Sequence, residues 1–136
     1  MKLQPDKSDV QTITGYGPGW IGVNGEKLTQ STLIGSGGQR LPWPCERFED
    51  LQASHFAPLA EMGAELVIFG SGNRIRFPQP AWLSPLMQRR IGLETMDTAA
   101  ACRTYNILAG EGRNVVLAAL LEPPTPGGGA QAPVSG

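Results

Sequence analysis

Two stretches of this sequence carry residues whose types and spacing could do chemistry. The first is Gly70-Ser71-Gly72-Asn73, which follows the apolar run Glu65 to Phe69. A loop leaving a buried parallel strand lies at the carboxyl edge of its sheet, where α/β domains commonly bind ligands. The second is DTAAACRTYNILAGEGR, Asp97 to Arg113. At about 100° per residue, Ala101, Cys102, Tyr105, Leu108 and Ala109 share one helix face, and Ala99, Arg103, Asn106 and Gly110 share another. Arg103 has the planar fork that holds a carboxylate or phosphate through two hydrogen bonds, and a structural pair with Glu111 or another acid is the favoured alternative. Cys102 lies one turn into the helix beside Arg103, where the helix amino end and the guanidinium both stabilise a thiolate. A buried cysteine acting as a small hydrophobe is the plainer reading and the favoured one.

These residues define a candidate ligand or partner site of Gly70, Ser71, Gly72, Asn73, Arg103 and Asn106, with Cys102 as a candidate reactive thiol. The chemistry they support is binding of a small anion. The loop lacks the third glycine of a dinucleotide fingerprint and lies too far from the next helix start for that helix to cradle a pyrophosphate. No lysine followed by Ser or Thr comes after the glycines, which excludes a P-loop. The single histidine, His55, has no nucleophile motif near it and reads as a surface or helix-capping residue. No metal-ligand spacing is present. No catalytic residue and no cofactor is assigned. Glu111 and Arg113, on either side of Gly112, are expected to pair and fix a turn.

The elements that position these residues can be read from periodicity and punctuation. Thr12 to Tyr16, Trp20 to Val23 and Lys27 to Leu33 are candidate strands, and Asn24-Gly25 is the dipeptide of a type I′ hairpin. Gly35 to Glu46, with its glycines and prolines, is expected to be irregular, with Pro42-Trp43-Pro44 as an ordered plug. Helical turns are expected at Phe48 to Gln52 and at His55 to Met62, the latter ending at Gly63. Glu65 to Phe69 suits a strand buried on both faces. A helix starting near Pro80 to Ser84 runs to about Arg90 and is closed by Gly92. Leu93 to Met96 is a strand, Asp97 the N-cap of a helix over Thr98 to Ala109 stopped by Gly110, and Asn114 to Leu121 a final strand. Strand, helix, strand, helix, strand implies parallel pairing with right-handed crossovers.

A chain of 136 residues, 40% hydrophobic, suits one domain. We therefore expect a flexible N-terminus over 1–10, a single α/β domain over 11–121, and a disordered tail rich in proline, glycine and alanine over 122–136. The 11 basic and 12 acidic residues nearly cancel, so the charge footprint of a nucleic-acid binder is missing. The apolar runs are far shorter than the roughly 20 residues that span a bilayer, which argues against membrane insertion. MKLQPDKSDV has neither a signal-peptide core nor transit-peptide character, and a cytoplasmic location is expected. Cys45 and Cys102 are expected to be free thiols.

The ordered series of PWP at Pro42 to Pro44, LVIFGSG at Leu66 to Gly72, MDTAAACRTYNILAGEGR at Met96 to Arg113 and the closing apolar strand resembles a widespread domain-of-unknown-function family. Its mitochondrial members include NADH dehydrogenase (complex I) assembly factor 3. The resemblance covers the chain from about Thr14 to Leu121 and looks like the bacterial type. It implies a compact three-layer α/β domain with a mixed central sheet. It also implies a non-enzymatic role with another protein as partner, assisting assembly. A small anionic ligand at the sheet edge, held by Gly70 to Asn73 with Arg103, is the alternative.

Overall fold

A computed structural model describes residues 10–123. The expected N-terminal and tail segments lie outside these residues, apart from Val10, Glu122 and Pro123. The chain opens with a three-stranded antiparallel sheet of β1 (Ile13–Gly17), β2 (Trp20–Val23) and β3 (Glu26–Leu28). Asn24 and Gly25 turn between β2 and β3 with φ of 51° and 86°, the double left-handed conformation a type I′ hairpin requires. The expected strand over Lys27 to Leu33 is divided. Its first part stays on this surface sheet, whereas β4 (Thr32–Gly35) crosses into the central sheet and is buried throughout. The expected irregular segment after it contains the short strand β5 (Arg40–Pro42), antiparallel to β4.

Next come a 3-10 turn at Phe48–Asp50, α1 (Ala53–Ala60), β6 (Leu66–Gly70), a second 3-10 turn at Pro80–Leu83 and α2 (Ser84–Gln88). The chain then forms β7 (Gly92–Met96), α3 (Thr98–Gly110) and β8 (Val115–Ala119). The central sheet has the order β5-β4-β8-β6-β7. β6 runs parallel to both β7 and β8, and β4 runs antiparallel to β8, so the sheet is mixed, as expected.

Strand periodicity divides the core into two layers. Val67 and Phe69 of β6 and Val116 and Ala118 of β8 face α1, together with Phe56, Leu59 and Trp43. Ile68, Val115, Leu117 and Ala119 face α3 and the N-terminal sheet, against Cys102, Tyr105, Ile21 and Ile13. The result is three layers, with α1 and α2 on one face of the central sheet and α3 with β1 to β3 on the other. Pro42-Trp43-Pro44 is the plug the sequence suggests. Trp43 is buried, its Nε1 donates to the His55 carbonyl at 2.8 Å, and its ring meets Phe56 edge-on at 5.8 Å. His55 caps α1, its Nδ1 accepting from the Gln52 amide at 3.1 Å.

Two turns depart from expectation. Gly92 does not close α2, because it is already the first residue of β7. The left-handed closing position falls on Arg90, at φ 57°, with the Ile91 amide reaching back to the Leu86 carbonyl at 3.0 Å. This is a helix-end geometry that glycine normally occupies, and an L side chain there costs about 1–2 kcal/mol. At the end of α3, Glu111 and Arg113 do not pair. Arg113 instead bonds Glu65 at 3.2 Å, and that contact, with the Asn114 amide, holds the Glu65 carboxyl below the ordinary carboxylate range. The Arg90 geometry predicts that Arg90→Gly raises stability by about 1 kcal/mol, read in urea denaturation, after some loss to glycine's freedom in the unfolded chain. An unchanged or lowered midpoint would show that the Arg90 side chain makes a compensating contact.

Candidate functional site

The glycine loop and the start of α3 meet, but as a packed internal node. α3 crosses β6 so closely that a Cβ on Gly70 would lie 2.9 Å from Thr98 Cα and 3.1 Å from Ala101 Cβ. That approach puts Thr98 Oγ1 between two backbones. It accepts from the Gly72 amide at 2.9 Å and donates to the Leu120 carbonyl at 3.0 Å, while the Thr98 amide donates to the Gly72 carbonyl at 2.8 Å. Asp97 is the N-cap the sequence suggests, its Oδ1 accepting from the Ala100 amide at 2.8 Å. Buried Ser71 accepts from the Arg76 amide and donates to the Arg74 carbonyl, both at 2.8 Å.

The most heavily engaged charge at this edge is Arg76, which the sequence reading did not single out. Its guanidinium donates to the Ser71 carbonyl at 2.6 Å, pairs with Glu122 at 2.5 Å and lies 4.8 Å from the centre of the Phe48 ring. The second oxygen of Glu122 accepts from the Phe48 amide at 2.8 Å. The pair is mostly buried, with side chains 16% and 18% exposed. Glu122, assigned by sequence to the tail, therefore belongs to the folded domain. Gly72, at φ 104°, is needed as glycine here, since a Cβ would sit 2.5 Å from the Arg76 Nη2 and 2.9 Å from the Glu122 Oε1. The available sequence signal was a carboxylate directly after the last apolar strand and arginines directly after the glycine loop.

The other sequence candidates separate. Arg103 does not pair with Glu111, and its side-chain hydrogen bond among the described residues goes to Tyr16 and not to the loop. It donates to the Tyr16 hydroxyl at 2.9 Å, which raises its pKa further. Asn106 is committed to the backbone of β1, with Oδ1 accepting from the Ile13 amide at 2.9 Å and Nδ2 donating to the Ile13 carbonyl at 2.8 Å. It fixes the N-terminal sheet to α3, so its role on the expected functional face is structural. Asn73 is exposed.

A cavity of about 270 Å³ joins the loop to the first turn of α3, with Tyr16, Gly72, Asn73, Asp97 and Glu122 among its lining residues. Asp97 and Glu122 are the carboxylates in that lining, Glu122 already paired with Arg76, and neither Arg76 nor Arg103 lines it. Of the expected anion-site residues, the cavity brings together Gly72 and Asn73 and not Arg103.

Cys102 is fully buried, and burial pushes its thiol up to about 12, with Arg103 offsetting only part of that rise. The helix-end and arginine stabilisation expected for a reactive thiolate is outweighed by desolvation. Burial pushes the Tyr105 hydroxyl up as well, and that hydroxyl donates to the Gln11 carbonyl at 2.6 Å. The sign of the resulting pH dependence follows from the raised folded pKa. Below the unfolded thiol value of 9.0 neither state ionises at Cys102, and its full contribution is present. Between that pH and about 12 only the unfolded state ionises, so stability falls with rising pH by about 1.4 kcal/mol per unit. Urea denaturation from pH 8 to 11 checks this. The wild type is expected to lose stability more steeply than Cys102→Ala above pH 9, and equal slopes would contradict the burial account.

Comparison with known proteins places this geometry in a family. Human NADH dehydrogenase [ubiquinone] 1 alpha subcomplex assembly factor 3 is 31% identical over 129 residues, covering 90% of this chain and 66% of the human protein. The chain spans between 45% and 66% of the length of the bovine and human relatives it matches. An uncharacterised protein of Rhodobacter capsulatus is 33% identical over 124 residues, covering 91% of this chain and 93% of its own length. The crystal structure of a Bordetella parapertussis protein superposes with a TM-score of 0.78 at 38% identity, covering 83% of this chain and 97% of that one. The family model described as protein of unknown function (DUF498/DUF598) matches residues 13–121. The chain belongs to that family, as the ordered motifs from Pro42 to Arg113 implied.

Proposed function

We propose that this chain is a non-enzymatic interaction domain that assists the assembly of another polypeptide. The observation that carries the reading is the match to an assembly factor across 90% of this chain, because it involves the whole folded unit. The geometry agrees with it. The polar groups of the sheet edge bond one another through Thr98, Ser71, Arg76 and Glu122, which suits a rigid scaffold. The strap leaving that node holds Ile75 and Phe77 50% and 69% exposed, apolar surface of the kind a partner chain covers. Among the described residues no helix is long and apolar enough to cross a membrane. A cytoplasmic location and a respiratory-complex client are the finer parts of the proposal.

The test is recovery of the tagged full chain at native expression, with brief crosslinking in the cell before lysis. A discrete polypeptide partner is expected in a reproducible ratio to the chain. Repeated recovery of the chain alone, with and without crosslinker, would count against the reading.

A further inference from the structure

The central sheet has two edges, β5 and β7, and among the described residues β5 is the more guarded. At β5, the Gly35 amide donates to the Gln39 carbonyl and the Trp43 amide to the Ser31 carbonyl, so the two-residue period turns Leu41 inward and Arg40 and Pro42 outward. Pro42 has no N–H to offer, and the Arg40 side chain is tied to Glu26 at 2.7 Å and to Gln11 at 3.0 Å. Proline and charged side chains are the usual means of closing an edge.

β7 has neither a proline nor a tied charge among the described residues. The Gly92 amide donates to the Glu65 carbonyl and the Met96 carbonyl accepts from the Ser71 amide, so Gly92, Glu94 and Met96 turn toward β6. Leu93 and Thr95 therefore direct their N–H and C=O groups away from the sheet, and no described residue bonds them. The strand carries no proline and no bulge, its register with β6 being continuous from Leu66↔Gly92 to Gly70↔Met96. Glu94, exposed in the middle of the strand, faces apolar Ile68 across the ladder and makes no ion pair among the described residues.

We infer that the open edge of β7 is the docking site for an extended segment of a partner polypeptide, which adds as a further strand and carries a lysine or arginine opposite Glu94. The free groups of Leu93 and Thr95 supply the main-chain bonds of strand addition. A side chain directly across an added strand comes to about 5 Å from the Glu94 Cβ, where opposite charges stabilise and like charges destabilise. The same rule disfavours a second copy of this chain, because the antiparallel register that uses all four free groups sets Glu94 against Glu94. This inference rests on the protein-interaction reading above and names its surface.

A photocrosslinking amino acid placed at Thr95 of the full chain at native expression tests it, with placements at Leu41 on the more guarded edge and at Phe77 as comparators. The expected result is an adduct with another polypeptide at Thr95 and not at Leu41, its crosslinked peptide an extended stretch bearing a basic residue. Glu94→Lys in the same background is expected to reduce that adduct by about tenfold or more, with thermal melting confirming that the variant is folded. An adduct to a second copy, to this chain's own terminal segments or equally at Leu41 would overturn the inference, as would indifference to Glu94→Lys. A partner that co-purifies but crosslinks only at Phe77 sinks the edge inference and leaves the interaction reading standing. Recovery of no partner at all defeats both.

Discussion

Thr98 sits where helix α3 packs against Gly70 of strand β6 and bonds the chain just past strand β8, and the carboxyl edge of the sheet is arranged around that approach. Gly70 lets the helix sit against the strand at a distance no Cβ would permit. The Thr98 hydroxyl then satisfies a buried donor from the glycine loop and a buried acceptor just past the end of β8. Buried backbone groups left without partners are costly, so the hydroxyl is what makes the close packing tolerable. From there the loop is held by Ser71, the strap by Arg76, and the end of the last strand by Glu122.

This constraint also explains why the carboxyl edge of the sheet, the usual ligand position in α/β domains, reads differently here. Its glycines serve helix packing and the Arg76–Glu122 pair. Its amide from Gly72 is spent on Thr98. The strap with exposed Ile75 and Phe77 and the lateral edge of β7 suit contact with another chain better than enclosure of a small molecule.

Much of the architecture was legible because it is written in local patterns. Asn24-Gly25 can be little else than a hairpin turn, the runs in β6 and β8 are apolar at every position, and Asp97 before a helical stretch is a capping signal. The site was less legible, since its contacts join residues distant in the chain. Arg76 meets Glu122 only once β6 and β8 lie side by side. Asn106 reads as a free polar residue until the N-terminal strand is laid along α3 and Ile13 takes both of its hydrogen-bonding groups. The break between β3 and β4 was hidden because a single strand-like stretch serves two sheets. The left-handed turn fell on Arg90 because Gly92, the expected helix stop, was needed at the start of β7.

The central claim is that the node at Thr98 holds the fold together. Thr98→Val keeps the volume and removes the hydroxyl, stranding the Gly72 amide and the Leu120 carbonyl. Urea denaturation measures it most directly. The account predicts a loss of about 2–4 kcal/mol, the cost of two buried unsatisfied groups, with partner recovery per folded molecule unchanged. A variant as stable as the wild type would contradict it.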